Sequence, residues 1–152
     1  MNVGFRLLKG QEDWEWVNSI LPLDLTTSTT GLMCYEIGTQ RRLAAMVCES
    51  WTENSCQCHL IVDHIAALRH GFLQACADYV FTTGERKKMI GIVPSKKYKA
   101  LRLNKRLGFK EVGRIADAFE DGNDAVILEV HRDDCTVWSG YTHVAPLEVA
   151  NG

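Results

Sequence analysis

Three short apolar runs, Leu32–Ile37, Leu43–Ser50 and Cys56–Val62, follow one another with five residues in each gap. A parallel neighbour needs a crossover of about a dozen residues or more, so gaps this short force the three strands into antiparallel pairs. Gly38-Thr39-Gln40 and Thr52-Glu53-Asn54 supply the turn chemistry between them. An antiparallel meander is therefore the centre around which everything else must pack. With 152 residues, 46% of them hydrophobic, folding buries roughly 68–70% of the unfolded surface, which makes a core without disulfides or a structural metal. A disordered chain is excluded.

The flanking segments change period. Val3–Leu8 reads as a first strand, and Gln11–Ile20 as a helix whose Trp14 and Val17, with Leu21 beyond, recur at helical spacing. Asp24–Gly31, rich in Thr and Ser, reads as a loop. After the meander, Ala66–Phe81 has one apolar face at helical spacing (Phe72, Ala75, Cys76, Tyr79, Val80), and Lys88–Val93 reads as a buried strand. Pro94-Ser95 predicts a strand stop and a helix cap, Lys96–Leu107 a basic helix, and Gly108 its C-terminal stop. A hairpin, Glu111–Ala118 and Ala125–Val130, turns at Glu120-Asp121-Gly122-Asn123. The expected order is β-α-βββ-α-β-α-ββ, an α+β fold with a single mixed, mostly antiparallel sheet flanked by helices. Residues 1–131 form this domain, and 132–152, with Trp138 and Tyr141, form a tail packed on the body or on a second copy of the chain.

The net charge of −2 conceals its distribution. Residues 85–110 carry ten Lys or Arg against one acid, Glu85, leaving seven basic and eighteen acidic residues elsewhere. No apolar run reaches the ~20 residues needed to cross a bilayer, and MNVGFRLLKG lacks the apolar stretch of a signal peptide, so the expected place is the cytoplasm. Reduced, packed cysteines suit that compartment. Cys56-Gln-Cys58-His59 is the one cluster with metal-binding residue types. On a strand, though, 56 and 58 point one way and His59 the other, and no second Cys or His pair follows at zinc-site spacing, so no metal is expected.

The element order, and the segment Val93–Gly113, VPSKKYKALRLNKRLGFKEVG, resemble the GNAT superfamily of N-acetyltransferases over roughly residues 1–131. The family's late signature, N-x-x-A-x-x-L-Y-x-x-x-G-F, is matched in register by Ala100, Leu103, Gly108 and Phe109. Lys97 stands where Asn is usual and Asn104 where Tyr is usual. The resemblance implies acetyl-CoA as co-substrate. It implies that the fourth and fifth strands splay to admit the pantetheine arm, with the backbone of Leu60, Ile61 and Val62 bonding the arm and polarising the thioester. It also puts the pyrophosphate loop at His64–Phe72, where Arg69, His70 and Gly71 supply a cation, a polar side chain and a backbone open to close approach, although the family's Q/R-x-x-G-x-G/A pattern is not intact.

Acyl transfer to an amine needs a group to take the amine proton and another to meet the departing thiolate. Glu49, Glu36, His59 and Asp63 are candidate bases; Asn104 can donate a hydrogen bond to sulfur but no proton, which leaves Tyr98 or water as the acid, or a thiolate that leaves unprotonated. Lys99, Arg102 and Arg106, with Lys97 and Lys105 beside them, make a basic stripe on the helix. It suits a solvated face, a guide for coenzyme phosphates (Lys97 and Lys99 first), or nucleic acid. The resemblance implies an N-acetyltransferase using direct ternary-complex transfer to a small-molecule or protein amine. Asp24, Glu120, Asp121 and Asp124, on segments where the family binds acceptors, suit a cationic one. A homodimer is open to this reading, and the rival is a catalytically inactive GNAT-like domain acting as a partner-binding or regulatory protein.

Overall fold

The structure is a computed structural model that describes residues 1–138. The order of elements is the expected one, save that two short helices stand where one was expected over 66–81: β1 (Val3–Leu7), α1 (Gly10–Ile20), β2 (Thr30–Glu36), β3 (Arg42–Glu49), β4 (Ser55–Val62), α2 (Ala66–Arg69), α3 (Phe72–Asp78), β5 (Lys88–Pro94), α4 (Tyr98–Leu107), β6 (Lys110–Glu120) and β7 (Asn123–His131). The strands form one seven-stranded mixed sheet in the order β1-β2-β3-β4-β5-β7-β6. Among the described residues no helix is long and apolar enough to cross a membrane. The described residues divide into two compact units, one built from Met1–Ser50 and Cys58–Cys76, the other from Trp51–Gln57 and residues 77–138.

In the first unit, β1 pairs antiparallel with β2 from Val3↔Glu36 to Leu7↔Leu32, and β2 with β3 from Thr30↔Cys48 to Tyr35↔Arg42. Strand alternation sorts the side chains onto two faces. On one face Leu8, Met33, Tyr35, Ala45, Val47 and Ile61 enclose Val17 of α1, with Trp14, Trp16, Leu21 and Leu23 packed against them. That face also holds a charge. Asp13, 1% exposed, receives the guanidinium of Arg6, Arg42 Nε at 2.9 Å and the backbone N–H of Lys9 at 3.0 Å. Burial by itself would raise the Asp13 carboxyl, but these donors outweigh it and hold the carboxyl below its ordinary range. On the other face Phe5 meets Phe72 with ring centroids 5.7 Å apart. Burial pushes the Cys34 thiol up to about 11, and burial with Cys34 as neighbour raises Cys76 far above its usual value.

The helix expected over 66–81 is broken. α2 ends at Arg69, His70 intervenes, and Gly71 adopts φ +86, the left-handed region that a glycine enters without a Cβ penalty, before α3 starts at Phe72. Beyond α3 the chain continues as a π-helical turn, Tyr79–Thr83. An apolar face at helical spacing survives such a break, which is why periodicity did not reveal it.

In the second unit β4 pairs parallel with β5 (Ser55↔Lys88 to Gln57↔Ile90), and β7 lies antiparallel between β5 and β6. The expected cap at Ser95 is not formed. Pro94 belongs to β5 opposite Ala125, the N-cap position of α4 is Lys97 with no side-chain cap bond, and Ser95 Oγ accepts the Asp124 N–H at 2.8 Å. The Ser95 hydroxyl thus ties the start of the helix to the β6–β7 turn, a bond between segments distant in sequence. Gly108 ends α4 as expected, at φ +101. The segment after β7 folds back on the helix end: the Thr136 N–H donates to Leu107 O at 3.0 Å and its hydroxyl to Arg106 O at 2.7 Å. Trp138 Nε1 donates to Thr82 Oγ1 at 3.0 Å. Tyr141 and the rest of the expected tail lie outside the described residues.

Candidate active site

Of the four candidate bases, two meet. Glu49 is the last residue of β3 and His59 the fifth of β4, and His59 Nε2 lies 2.9 Å from Glu49 Oε1. Their side chains are 22% and 15% exposed, so each is sheltered yet reachable from solvent. With Nε2–H donating to the carboxylate, the neutral imidazole keeps Nδ1 as an acceptor. Alternation puts the pair on the sheet face of Ala45, Val47 and Ile61, the face lined by α1 and its tryptophans. Ser50, immediately after Glu49, has φ +52, a strained conformation for a residue with a Cβ, so β3 stops sharply where its carboxylate is presented.

The other two candidates sit apart from this pair. Glu36 Oε2 accepts the hydroxyl of Thr39 at 2.6 Å, closing the β2–β3 turn. Asp63 is exposed just past β4, its N–H donating to Leu43 O.

The residues expected to meet the coenzyme fall on three segments. In β4, Leu60 and Val62 expose their side chains (37% and 38%) while Ile61 is buried, as alternation requires. Arg69 and His70 are exposed at the α2–α3 break, and open space surrounds Gly71: a Cβ there would meet only Gln74 Oε1, at 3.8 Å. His64 Nδ1 accepts the Ala66 N–H at 3.1 Å, shaping the start of this loop. In the second unit, Tyr98 opens α4 and is 70% exposed, Lys97 and Lys99 flank it exposed, and Asn104 is half-buried with its backbone carbonyl accepting the Phe109 N–H at 3.0 Å.

The charge map changes in the structure. Within the basic segment, Lys88 pairs with Glu129 at 3.2 Å and Lys96 with Glu120 at 3.6 Å, whereas Lys99, Arg102, Lys105 and Arg106 stand on α4 as a stripe open to solvent. The acids of the hairpin are largely spoken for. Asp124 Oδ1 accepts the Asp117 N–H at 3.0 Å while its Oδ2 faces Arg114 at 3.5 Å, and Asp117 Oδ1 accepts the Gly122 N–H at 2.7 Å. They build the turn. Asp24, by contrast, stays exposed on the Thr- and Ser-rich loop of the expected acceptor rim.

One juxtaposition escaped spacing along the chain. Cys48 and Cys58, each one residue before a member of the Glu49–His59 pair, bring their sulfurs to 3.9 Å. The repeated pattern of a Cys followed by an acid–base residue on two adjacent strands was the available signal.

No protein-family model matches the chain, and no curated protein sequence matches it. Solved structures do. The spermidine/spermine N-acetyltransferase SpeG from Vibrio cholerae in complex with manganese ions superposes with a TM-score of 0.72 at 12% identity, over 86% of this chain and 93% of that one. The spermidine N-acetyltransferase from Vibrio cholerae in complex with CoA and spermine gives 0.71 at 13% identity, over 87% and 96%. A mutant of SpeG from the same organism gives 0.72 at 13%, over 86% and 94%. At this identity the likeness shows the fold, which is GNAT-type.

Proposed function

We propose that this chain is an N-acetyltransferase that moves acetyl from acetyl-CoA to an amine in one ternary complex. The observation that carries the proposal is the 2.9 Å bond between His59 and Glu49 on adjacent strands of a GNAT-type sheet. Attack on a thioester requires an uncharged amine, and His59, oriented by Glu49, takes the proton that the nitrogen sheds, through Nδ1. Backbone N–H groups at Leu60–Val62 stabilise the oxygen that becomes negative. Asn104 hydrogen-bonds the departing sulfur, and Tyr98 or water returns its proton. Arg69, His70 and Gly71 take the pyrophosphate, and Lys97 and Lys99 attract the remaining phosphate charge. The acceptor is a cationic amine, in keeping with the spermine bound by one structural neighbour and with the exposed Asp24.

A GNAT-like binding domain without catalysis is the second reading, favoured by Asn104 at the position where the family carries Tyr. Calorimetric titration with acetyl-CoA, followed by acetyl transfer to a panel of polyamines, aminoglycosides and peptides, separates the two. Binding with turnover supports the enzyme; binding without turnover supports the binding domain. A saturating coenzyme at a hundred times Kd stabilises by about 2.7 kcal/mol, so an unmoved melting curve at millimolar acetyl-CoA overturns the enzyme reading.

A further inference from the structure

We propose that Cys48 and Cys58 form a binding site for a thiophilic divalent cation of the Zn2+ kind, on the sheet face opposite the Glu49–His59 pair. The geometry comes first. The two sulfurs lie 3.9 Å apart. That is far beyond the roughly 2.05 Å of a disulfide. It matches the separation of about 3.8 Å that two thiolates take when each sits about 2.3 Å from a tetrahedral zinc.

Access and charge fit the same ligand. Cys48 is fully buried, whereas Cys58 is half-buried and gives an approach from solvent. Each thiol surrenders its proton on binding, so two thiolates neutralise one divalent cation and the buried site carries no net charge. A hard cation such as Mg2+ finds no oxygen ligand in this pair, so a soft or borderline ion is selected.

The placement has a consequence. Cys48 adjoins Glu49 and Cys58 adjoins His59, so an ion bridging the thiols clamps together the two strand positions that carry the proposed base. The binding itself is independent of acetyl transfer and stands or falls by its own measurements.

The test uses the full chain, reduced and metal-free, titrated with Cd2+ as a spectroscopic stand-in and with Zn2+ by calorimetry. The expected result is one equivalent of Cd2+ producing a sulfur-to-metal charge-transfer band in the ultraviolet, with about two protons released per Zn2+ bound. Cys48→Ala and Cys58→Ala should each weaken Zn2+ binding at least a hundredfold, while Cys135→Ala, in the other unit, retains it. Should the cysteine variants misfold, the wild-type chain still decides: Zn2+ must slow alkylation of Cys58, read by mass spectrometry, at least tenfold. A charge-transfer band that persists in the Cys48→Ala/Cys58→Ala double variant, or Cys58 alkylation unaffected by Zn2+, overturns the proposal.

Discussion

His59 Nε2 and Glu49 Oε1, 2.9 Å apart, join the middle of one strand to the last residue of its neighbour. Neither residue lies in a recognisable motif, and ten positions separate them in the chain. A carboxylate only accepts, so a neutral His59 facing it through Nε2 carries its proton there, the tautomer that the proposed role as base requires.

If that pair takes the amine proton, His59→Ala lowers kcat for acetyl transfer by about 10²–10⁴-fold, the usual range for a general base. Glu49→Gln, which keeps a hydrogen-bond acceptor but loses the charge, costs less. Acetyl-CoA affinity measured by calorimetry stays within about threefold of wild type in both. A kcat unchanged in His59→Ala removes the histidine from the mechanism.

Arg69→Ala and Lys99→Ala each weaken acetyl-CoA binding by about tenfold, the loss expected from one charge-assisted contact of about 1.5 kcal/mol. Arg102→Ala, on the same exposed face of α4, provides the comparison. Equal losses from Lys99→Ala and Arg102→Ala would mean that α4 acts as a diffuse positive field, which salt titration would then reveal by its steep dependence.

Asp13→Asn strands two guanidinium groups around a buried amide and destabilises the fold by about 3–5 kcal/mol, as removal of one partner from a buried ion pair does. In a chain of this size that lowers Tm by about 10 °C. The carboxyl titrates in the folded state below its unfolded value of 3.8. Its contribution is therefore complete above that value and is lost as pH falls through the lower folded one. Wild type should lose stability between pH 4 and more acid values faster than Asp13→Asn does, a difference read from urea melts across that range.

Gly108→Ala and Gly71→Ala separate backbone strain from crowding. Both positions have positive φ, +101 and +86, which costs an alanine about 1–2 kcal/mol. A Cβ at Gly108 would also sit 2.1 Å from Asp134 O, whereas the space around Gly71 is open. Urea denaturation should show Gly108→Ala destabilised by about 2–4 kcal/mol and Gly71→Ala by no more than the strain alone.

The chain's local chemistry was enough for its order of elements. Gaps of five residues forced the meander, the apolar period separated helices from strands, and Gly108 marked the end of α4, because each of these is settled by backbone sterics and nearest neighbours. The Ser95 cap was misassigned for the same reason: a serine before a helix is a local signal, but its hydroxyl is taken by Asp124, twenty-nine residues away. The break at Gly71 hid behind an apolar face that both helical pieces continue.

The site was legible only as types. Glu49 and His59 stood in the sequence as two of four candidate bases, and the acids of the hairpin as an acceptor rim. Strand pairing made a dyad of the first two and committed most of the others to turns. Cys58 stood in the sequence beside Cys56 and His59, and only adjacent strands set its sulfur 3.9 Å from that of Cys48. Which side chain faces which across a sheet depends on register, and register is set by how the whole apolar surface packs. That is why the residues of the site could be named from the chain, and their partners only from the fold.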